Sequence, residues 1–218
     1  MVFGDCIHQD VRLSRKKCKK LVRLVERLIF IIRRFFYFPI FLWYTFIMIL
    51  HPHKIIPLLG VQHGQTILDM GSSIGYWVKP LSQIVGGSGK IIAVDNHAEI
   101  IQRLNHDTQE LGLSNIDAIT GDIHDLSNLP IRADSVDKLL LIRMVSVIES
   151  HLEETVTKLL GFIKEDGHVI IIDAIHYKID VLAVLAKYQG VFHYEEINEV
   201  EERTDNHFFG ITIGKMSA

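Results

Sequence analysis

With 218 residues, 48% of them apolar and 22% charged, the chain can bury the core of one α/β domain and leaves roughly 50 residues over. Its two cysteines, Cys6 and Cys18, exclude a disulfide framework and a cysteine-based metal site. The net charge of −3 conceals two opposite parts: ten Lys or Arg against Glu26 between Arg12 and Arg34 make about +9, and the chain beyond sums to about −10. The first predicted element is this basic arm. From Lys16 to Arg34 the charges at Lys16, Lys19, Lys20, Arg23, Glu26, Arg27, Arg33 and Arg34 fall mostly in steps of three and four that place them on one helical stripe, with Lys17 beside it and Leu, Val and Ile filling most of the rest. A helix basic on one side and aliphatic on the other suits the interface of an anionic bilayer. The uncharged run from Phe35 to Leu50 reaches about 24 Å as a helix, short of the roughly 30 Å hydrocarbon core, and Pro39 interrupts it. No small-residue cleavage site precedes His51, so a signal peptide is not expected. Residues 16–50 are expected to lie on an anionic membrane surface, with a helix capping the functional site as the competing reading. Residues 1–50 form this arm and residues 51–218 the folded domain.

From Gln65 onward, short apolar runs alternate with longer amphipathic stretches, the pattern of a parallel sheet flanked by helices. Strands are predicted at Thr66–Asp69, Lys90–Asp95, Ile116–Thr120, Val136–Ile142 and His168–Asp173. Helices are predicted at about Tyr76–Val85, Ala98–Leu111, His151–Ile163 and Ile179–Tyr188. Asp166-Gly167 marks a helix-to-strand return, where glycine supplies a left-handed residue without a Cβ penalty. Val191–Glu202 and His207–Lys215 are both strand-like and are joined by Arg203-Thr204-Asp205-Asn206. Four residues close a hairpin but not a parallel crossover, so the sheet is expected to end in an antiparallel pair.

The informative segment is Ile67-Leu68-Asp69-Met70-Gly71-Ser72-Ser73-Ile74-Gly75-Tyr76-Trp77, an apolar strand running through a small-residue turn into a helix. In a doubly wound sheet such a turn lies at the carboxyl edge of a central strand, beside the switch point where ligands bind. Gly71 and Gly75 let backbone approach a ligand, and Asp69 places a carboxylate where it can organise the loop or meet an ammonium group. Twenty residues after Gly75 the next strand ends at Asp95, from which a carboxylate accepts hydrogen bonds from both ribose hydroxyls. A dinucleotide fingerprint needs a small residue at the sixth position of the glycine motif; counted from Gly71 that position is Tyr76, which argues against NAD or FAD.

The spacing of Asp69, Gly71, Ser73 and Gly75 resembles the first motif of class I S-adenosylmethionine-dependent methyltransferases. From about His51 to Lys215 the chain is most similar to their small-molecule branch, which includes the ubiquinone and menaquinone biosynthesis enzymes. The resemblance implies an α/β fold, a doubly wound Rossmann-like sheet of seven strands with the last antiparallel. It implies S-adenosyl-L-methionine as cofactor, with Asp69, Gly71, Ser73, Gly75, Asp95, Asn96 and Arg143 around it. Gly121-Asp122 after the third strand resembles the acid that contacts the adenine amino group, with Ile123 beside the ring. Two departures are plain: Ser73 stands where the family has glycine, and Arg143-Met144-Val145-Ser146 follows the fourth strand where many quinone-type relatives carry histidine.

Arg143 ends a buried strand beside the expected methyl site, where it either serves function or pairs with an acid at the sheet edge. His176 and Tyr177 follow the fifth strand at the same edge, where each orients a substrate, acts as a base or stands exposed without a role. His51 and His53 flank Pro52 but lack a third metal ligand at supporting spacing. The expected function is methyl transfer to a small or lipidic acceptor, quinone-, phospholipid- or isoprenoid-like, at the cytoplasmic face of a membrane. The competing classes are a nucleic-acid methyltransferase with a phosphate-binding arm, against which the arm's Phe, Ile and Leu content argues, and a membrane-recruited binding module with a degenerate pocket.

Overall fold

The computed structural model describes residues 50–188, 191–204 and 207–216. The expectations for residues 16–49 of the arm lie outside the described residues. Seven strands form one sheet: β1 (Thr66–Met70), β2 (Lys90–Asp95), β3 (Ile116–Thr120), β4 (Val136–Ile142), β5 (Ile163–Ala174), β6 (Phe192–Glu196) and β7 (Phe208–Lys215). Their spatial order is β3-β2-β1-β4-β5-β7-β6. The first five strands run parallel, and β7 is antiparallel to both β5 and β6.

Parallel central strands are covered on both faces and so read as near-continuous apolar runs. Leu68, Leu139, Leu141, Val169 and Ile171 point to one side, where they pack with residues of α4 (Val145–Ile148), α5 (Leu152–Leu159) and α6 (Lys178–Leu185). Their sequence neighbours Ile67, Leu140, Ile142, Ile170 and Ile172 point to the other, against α2 (Val78–Val85), α3 (Ala98–Glu110) and the entry segment that holds α1 (Pro52–Ile55). This period of two sets the direction of every strand-end side chain. Asp69 shares its face with Ile67, and Asp173 with Ile171.

Three local expectations are corrected. The helix after the glycine motif starts at Val78 and not at Tyr76, because Gly71, Ser73 and Gly75 all have positive φ and keep the chain in turns. The fifth strand starts at Ile163, five residues before His168, and runs through Gly167. That glycine has no left-handed backbone; a Cβ there would stand 2.8 Å from the Val136 carbonyl, so close strand approach is what demands it. The stretch 191–202 is strand only to Glu196 and then forms α7 (Asn198–Arg203), so the link to β7 is a helix and not a four-residue hairpin. Ile197 and Val200 are three apart, a helical spacing, and both pack over Gly210 of β7, where a Cβ would lie 2.7 Å from Val200 Cγ2.

Candidate active site

The carboxyl ends of β1, β2 and β3 meet in one concavity of about 220 Å³, bordered by Met70, Gly71, Val94, Asp95, Ile123 and Met144, with Asn96, His97, Gly121, Asp122 and Val147 completing it. The turn after β1 is tied to β2: Gly71 N and Ser72 N both donate to the Val94 carbonyl, at 2.8 and 3.0 Å, and Gly75 N donates to Ser72 O at 3.0 Å. At Gly71 (φ +84°) and Gly75 (φ +80°) the left-handed backbone disfavours any side chain, and an added Cβ would also displace the ends of Met144 and of Leu104 in α3. These contacts make the loop a tight cradle whose backbone is open to a ligand.

Asp95 is the hub. Its Oδ2 accepts from Ser73 N at 3.0 Å, while Oδ1 accepts from His97 N at 3.0 Å and lies 3.0 Å from His97 Nδ1. A carboxylate offers about four lone-pair positions, so Oδ2 keeps one free toward the pocket. The Asp95 carbonyl also receives Gly121 N at 3.0 Å, which sets the end of β3 beside it. Asp122 is exposed, and its Oδ1 accepts from His124 N at 2.9 Å, an Asx turn that leaves Oδ2 for a ligand.

Ser73 has φ +48°, a region where a side chain costs about 1 kcal/mol. Ser73→Gly is therefore expected to leave S-adenosylhomocysteine affinity intact or improve it, and not to lower the melting temperature. A large loss of affinity in calorimetry would mean that the hydroxyl itself contacts the ligand.

Asp69 lies beneath the cradle, 1% exposed, and Oδ2 has no partner among the described residues; nor does the buried hydroxyl of Ser72. Burial, reinforced by the Asp95 charge, pushes the Asp69 pKa up to about 7. Across the sheet, the buried Asp173 at the end of β5 accepts from Val145 N at 2.9 Å and Ala174 N at 2.7 Å. Burial raises its pKa, opposed by those two amides and by the nearby Arg143 and His176 side chains. His176 and Tyr177 stack with ring centroids 4.1 Å apart.

Of the residues expected around the cofactor, the concavity collects Gly71, Asp95, Asn96, Gly121, Asp122 and Ile123. Ser73 and Gly75 shape its loop without lining it, Asp69 supports it from below, and Arg143, His176 and Tyr177 group about Asp173 instead. Sequence reasoning missed Asp173, His97, Met144 and Val147. The first was legible as an acid ending a buried strand at the same edge as Asp95. A larger groove of about 850 Å³ between α5 and α6 is lined by Glu149, Glu153, Glu154, Asp180 and neighbours, and holds none of the motif residues.

A family model described as a methyltransferase domain matches residues 62–211. A protein-L-isoaspartate O-methyltransferase of Methanococcus maripaludis is 36% identical over 64 residues, 29% of this chain and 30% of the relative. A 23S rRNA (uracil-C5)-methyltransferase of Acinetobacter baylyi is 28% identical over 85 residues, 38% of this chain and 18% of the relative. The chain thus spans less than a third of the length of these relatives, which are named for different acceptors and do not single out a quinone-type branch. A SAM-dependent methyltransferase from Aquifex aeolicus shares the fold, with a TM-score of 0.61 at 21% identity over 74% of this chain and 88% of that one. S-adenosylmethionine is the cofactor of this class, and its motifs fall on the concavity at the ends of β1 to β3. By family match and by fold, the chain belongs to the methyltransferase domain family, within the class I S-adenosylmethionine-dependent methyltransferases.

Proposed function

We propose that this chain transfers a methyl group from S-adenosylmethionine to a small or lipidic acceptor, quinone-, phospholipid- or isoprenoid-like, at the cytoplasmic face of a membrane. The observation that carries the transfer is the meeting of Gly71, Asp95, Gly121 and Asp122 around one concavity at the sheet's carboxyl edge. Its residues fit the cofactor. A volume of about 220 Å³ is below the roughly 300 Å³ where small-ligand sites begin and suits the nucleoside half, leaving the methionine half to the cradle of Gly71 to Gly75. The unpartnered oxygen of Asp69 beneath that cradle is a complement to a cationic ligand.

When bound, S-adenosylmethionine supplies an electrophilic methyl group on a sulfonium. The chain's own part is to hold and desolvate. Asp95 Oδ2 accepts from ribose, Asp122 Oδ2 from the adenine amino group, and Ile123 covers the ring. Met144 and Val147, which border the same concavity, would help to exclude water from the bound cofactor, and positioning would be the main source of rate. Where an acceptor must lose a proton, His176 at the end of β5, beside Tyr177, is the base.

Support for the membrane location is the alternation of basic and apolar residues over 16–34, followed by the uncharged run to Leu50. Among the described residues no helix is long and apolar enough to cross a membrane. Basic residues near an anionic surface contribute about 1 kcal/mol each. Replacing Lys19, Lys20, Arg23 and Arg27 by Gln in the full chain should therefore release it from anionic vesicles in sedimentation, with wild-type binding weakening as salt rises. A wild-type chain that ignores vesicles of every composition overturns the membrane reading. An arm that instead binds RNA with a steep salt dependence favours the nucleic-acid class.

A further inference from the structure

We infer that Arg143 reads the headgroup of the acceptor, and that the acceptor is an amphiphile whose anionic group, phosphate or carboxylate, adjoins an apolar tail. This rests on the methyltransferase reading above and narrows its acceptor. The sheet order sets the ends of β1, β4 and β5 side by side, so at about 4.8 Å per strand the three loops that follow them span about 10 Å. Those loops carry Ile74, Tyr76, Val147 and Ile175, with Ile179 at the start of α6. They are half of the ten large apolar residues left exposed among the described ones, and Ile179 is 71% exposed. Singly scattered apolar side chains need no explanation, but a concentration at one edge marks a binding surface. Here the edge is the one onto which the cofactor concavity opens.

Of the Lys and Arg side chains within that apolar rim, Lys178 is tied to Glu196 and Glu201, and Arg143 is left. Arg143 is exposed and makes no ion pair among the described residues. Its backbone is left-handed at φ +59°, a conformation that is strained for a side-chain-bearing residue and that glycine would adopt freely. The turn is nevertheless held from both sides: Arg143 N donates to Ile172 O at 2.8 Å, and Asp173 Oδ2 receives Val145 N at 2.9 Å. Asp173 is no fork partner for the guanidinium: its hydrogen bonds come from the Val145 and Ala174 amides, it forms no ion pair with Arg143, and it is 4% exposed. The guanidinium is thus presented outward on a fixed turn with its planar donor pair available, the geometry that matches carboxylate and phosphate oxygens. The acidic groove between α5 and α6 is the wrong charge for such a ligand, which leaves the rim.

The test uses the full chain and two photoreactive probes with the same diazirine-bearing dodecyl tail, one a phosphate and one a neutral glucoside, with labelled residues mapped by mass spectrometry. The phosphate probe should label the rim at Ile74, Tyr76, Val147, Ile175 or Ile179, and the glucoside should label it about tenfold less, the worth of one charge-assisted pair. Arg143→Gln should reduce rim labelling about tenfold, Arg143→Lys should recover part of it, and labelling of the basic arm should not change; a cooperative thermal transition kept by each variant reports that its domain is folded. Ile179→Asp, at a site exposed enough to spare the fold, should weaken the rim signal through the tail alone. Label confined to the arm, or equal rim labelling by both probes, overturns the inference. Competition by inorganic phosphate as strong as by dodecyl phosphate overturns it too, since the site would then read an ion and not an amphiphile. Calorimetry with S-adenosylhomocysteine separates the premises. Absent binding by the wild type sinks the methyltransferase reading whatever the probes show. A tenfold loss of that affinity in Arg143→Gln alone assigns the guanidinium to the cofactor's carboxylate and sinks the headgroup role.

Discussion

Asp95→Ala should lower the affinity for S-adenosylhomocysteine by about 30- to 1000-fold in calorimetry, the equivalent of roughly 2 to 4 kcal/mol. Two losses combine. The ligand's ribose loses a charged acceptor, worth more than a neutral one. The cradle also loses its anchor, because Ser73 N and His97 N both end on this carboxylate at 3.0 Å. Asp95→Asn separates the two: it keeps one oxygen for an amide but turns the other position into a donor, so its loss should be intermediate. Melting temperature should fall little in either variant, since Asp95 sits at the rim of the sheet and not in either apolar layer. Affinity that survives both substitutions would falsify the placement of the nucleoside on this strand end.

The strand ends were legible in sequence because a parallel sheet buried on both faces writes its strands as apolar runs. Lys90–Asp95, Ile116–Thr120 and Val136–Ile142 have the same limits in the structure, and with them the edge on which ligands bind. Periodicity failed where a second factor outweighed it. Ile197 and Val200 satisfy either a strand or a helix over so short a run, and only the presence of Gly210 beneath them decides for the helix. Gly167 looked like a turn residue because the spacing between a left-handed glycine and a crowded one is the same on paper. Within the site, residues that act through backbone spacing, Gly71 and Gly75, were legible from the motif itself. Asp173 was legible only as an acid ending a buried strand, since its importance comes from what the fold brings to it: the first amide of α4 and Arg143 from the end of β4, with His176 three residues further on.

Asp69→Asn should make the protein more stable at pH 8 and bind its cofactor more weakly. Burial holds the Asp69 pKa at about 7 against an ordinary carboxylate value of 3.8, so between those values the folded protein keeps a proton that the unfolded chain has released. The stability contributed by neutral Asp69 is therefore complete below about pH 4, is lost progressively as pH rises, and levels off above about pH 7. A shift of about three pKa units corresponds to on the order of 4 kcal/mol, and in a domain of 150–250 residues each kcal/mol moves the melting temperature by about 2–4 °C. Asparagine carries no charge to desolvate, so the difference in melting temperature between variant and wild type should be small at pH 4 and several degrees at pH 8. The measurement is a pair of thermal unfolding series across that range. Parallel series would show that Asp69 is solvated or paired in the folded state and that its pKa is ordinary. A carboxylate kept at this expense beneath Gly71 to Gly75, with Oδ2 unpartnered among the described residues, makes sense if a cationic ligand above the loop completes it. Cofactor binding should accordingly favour the ionised form, so wild-type affinity for S-adenosylmethionine should strengthen from pH 6 to pH 8 while that of Asp69→Asn stays level. A variant that binds as tightly as wild type at pH 8 would reduce Asp69 to a packing residue and leave the charge of the ligand to be met elsewhere.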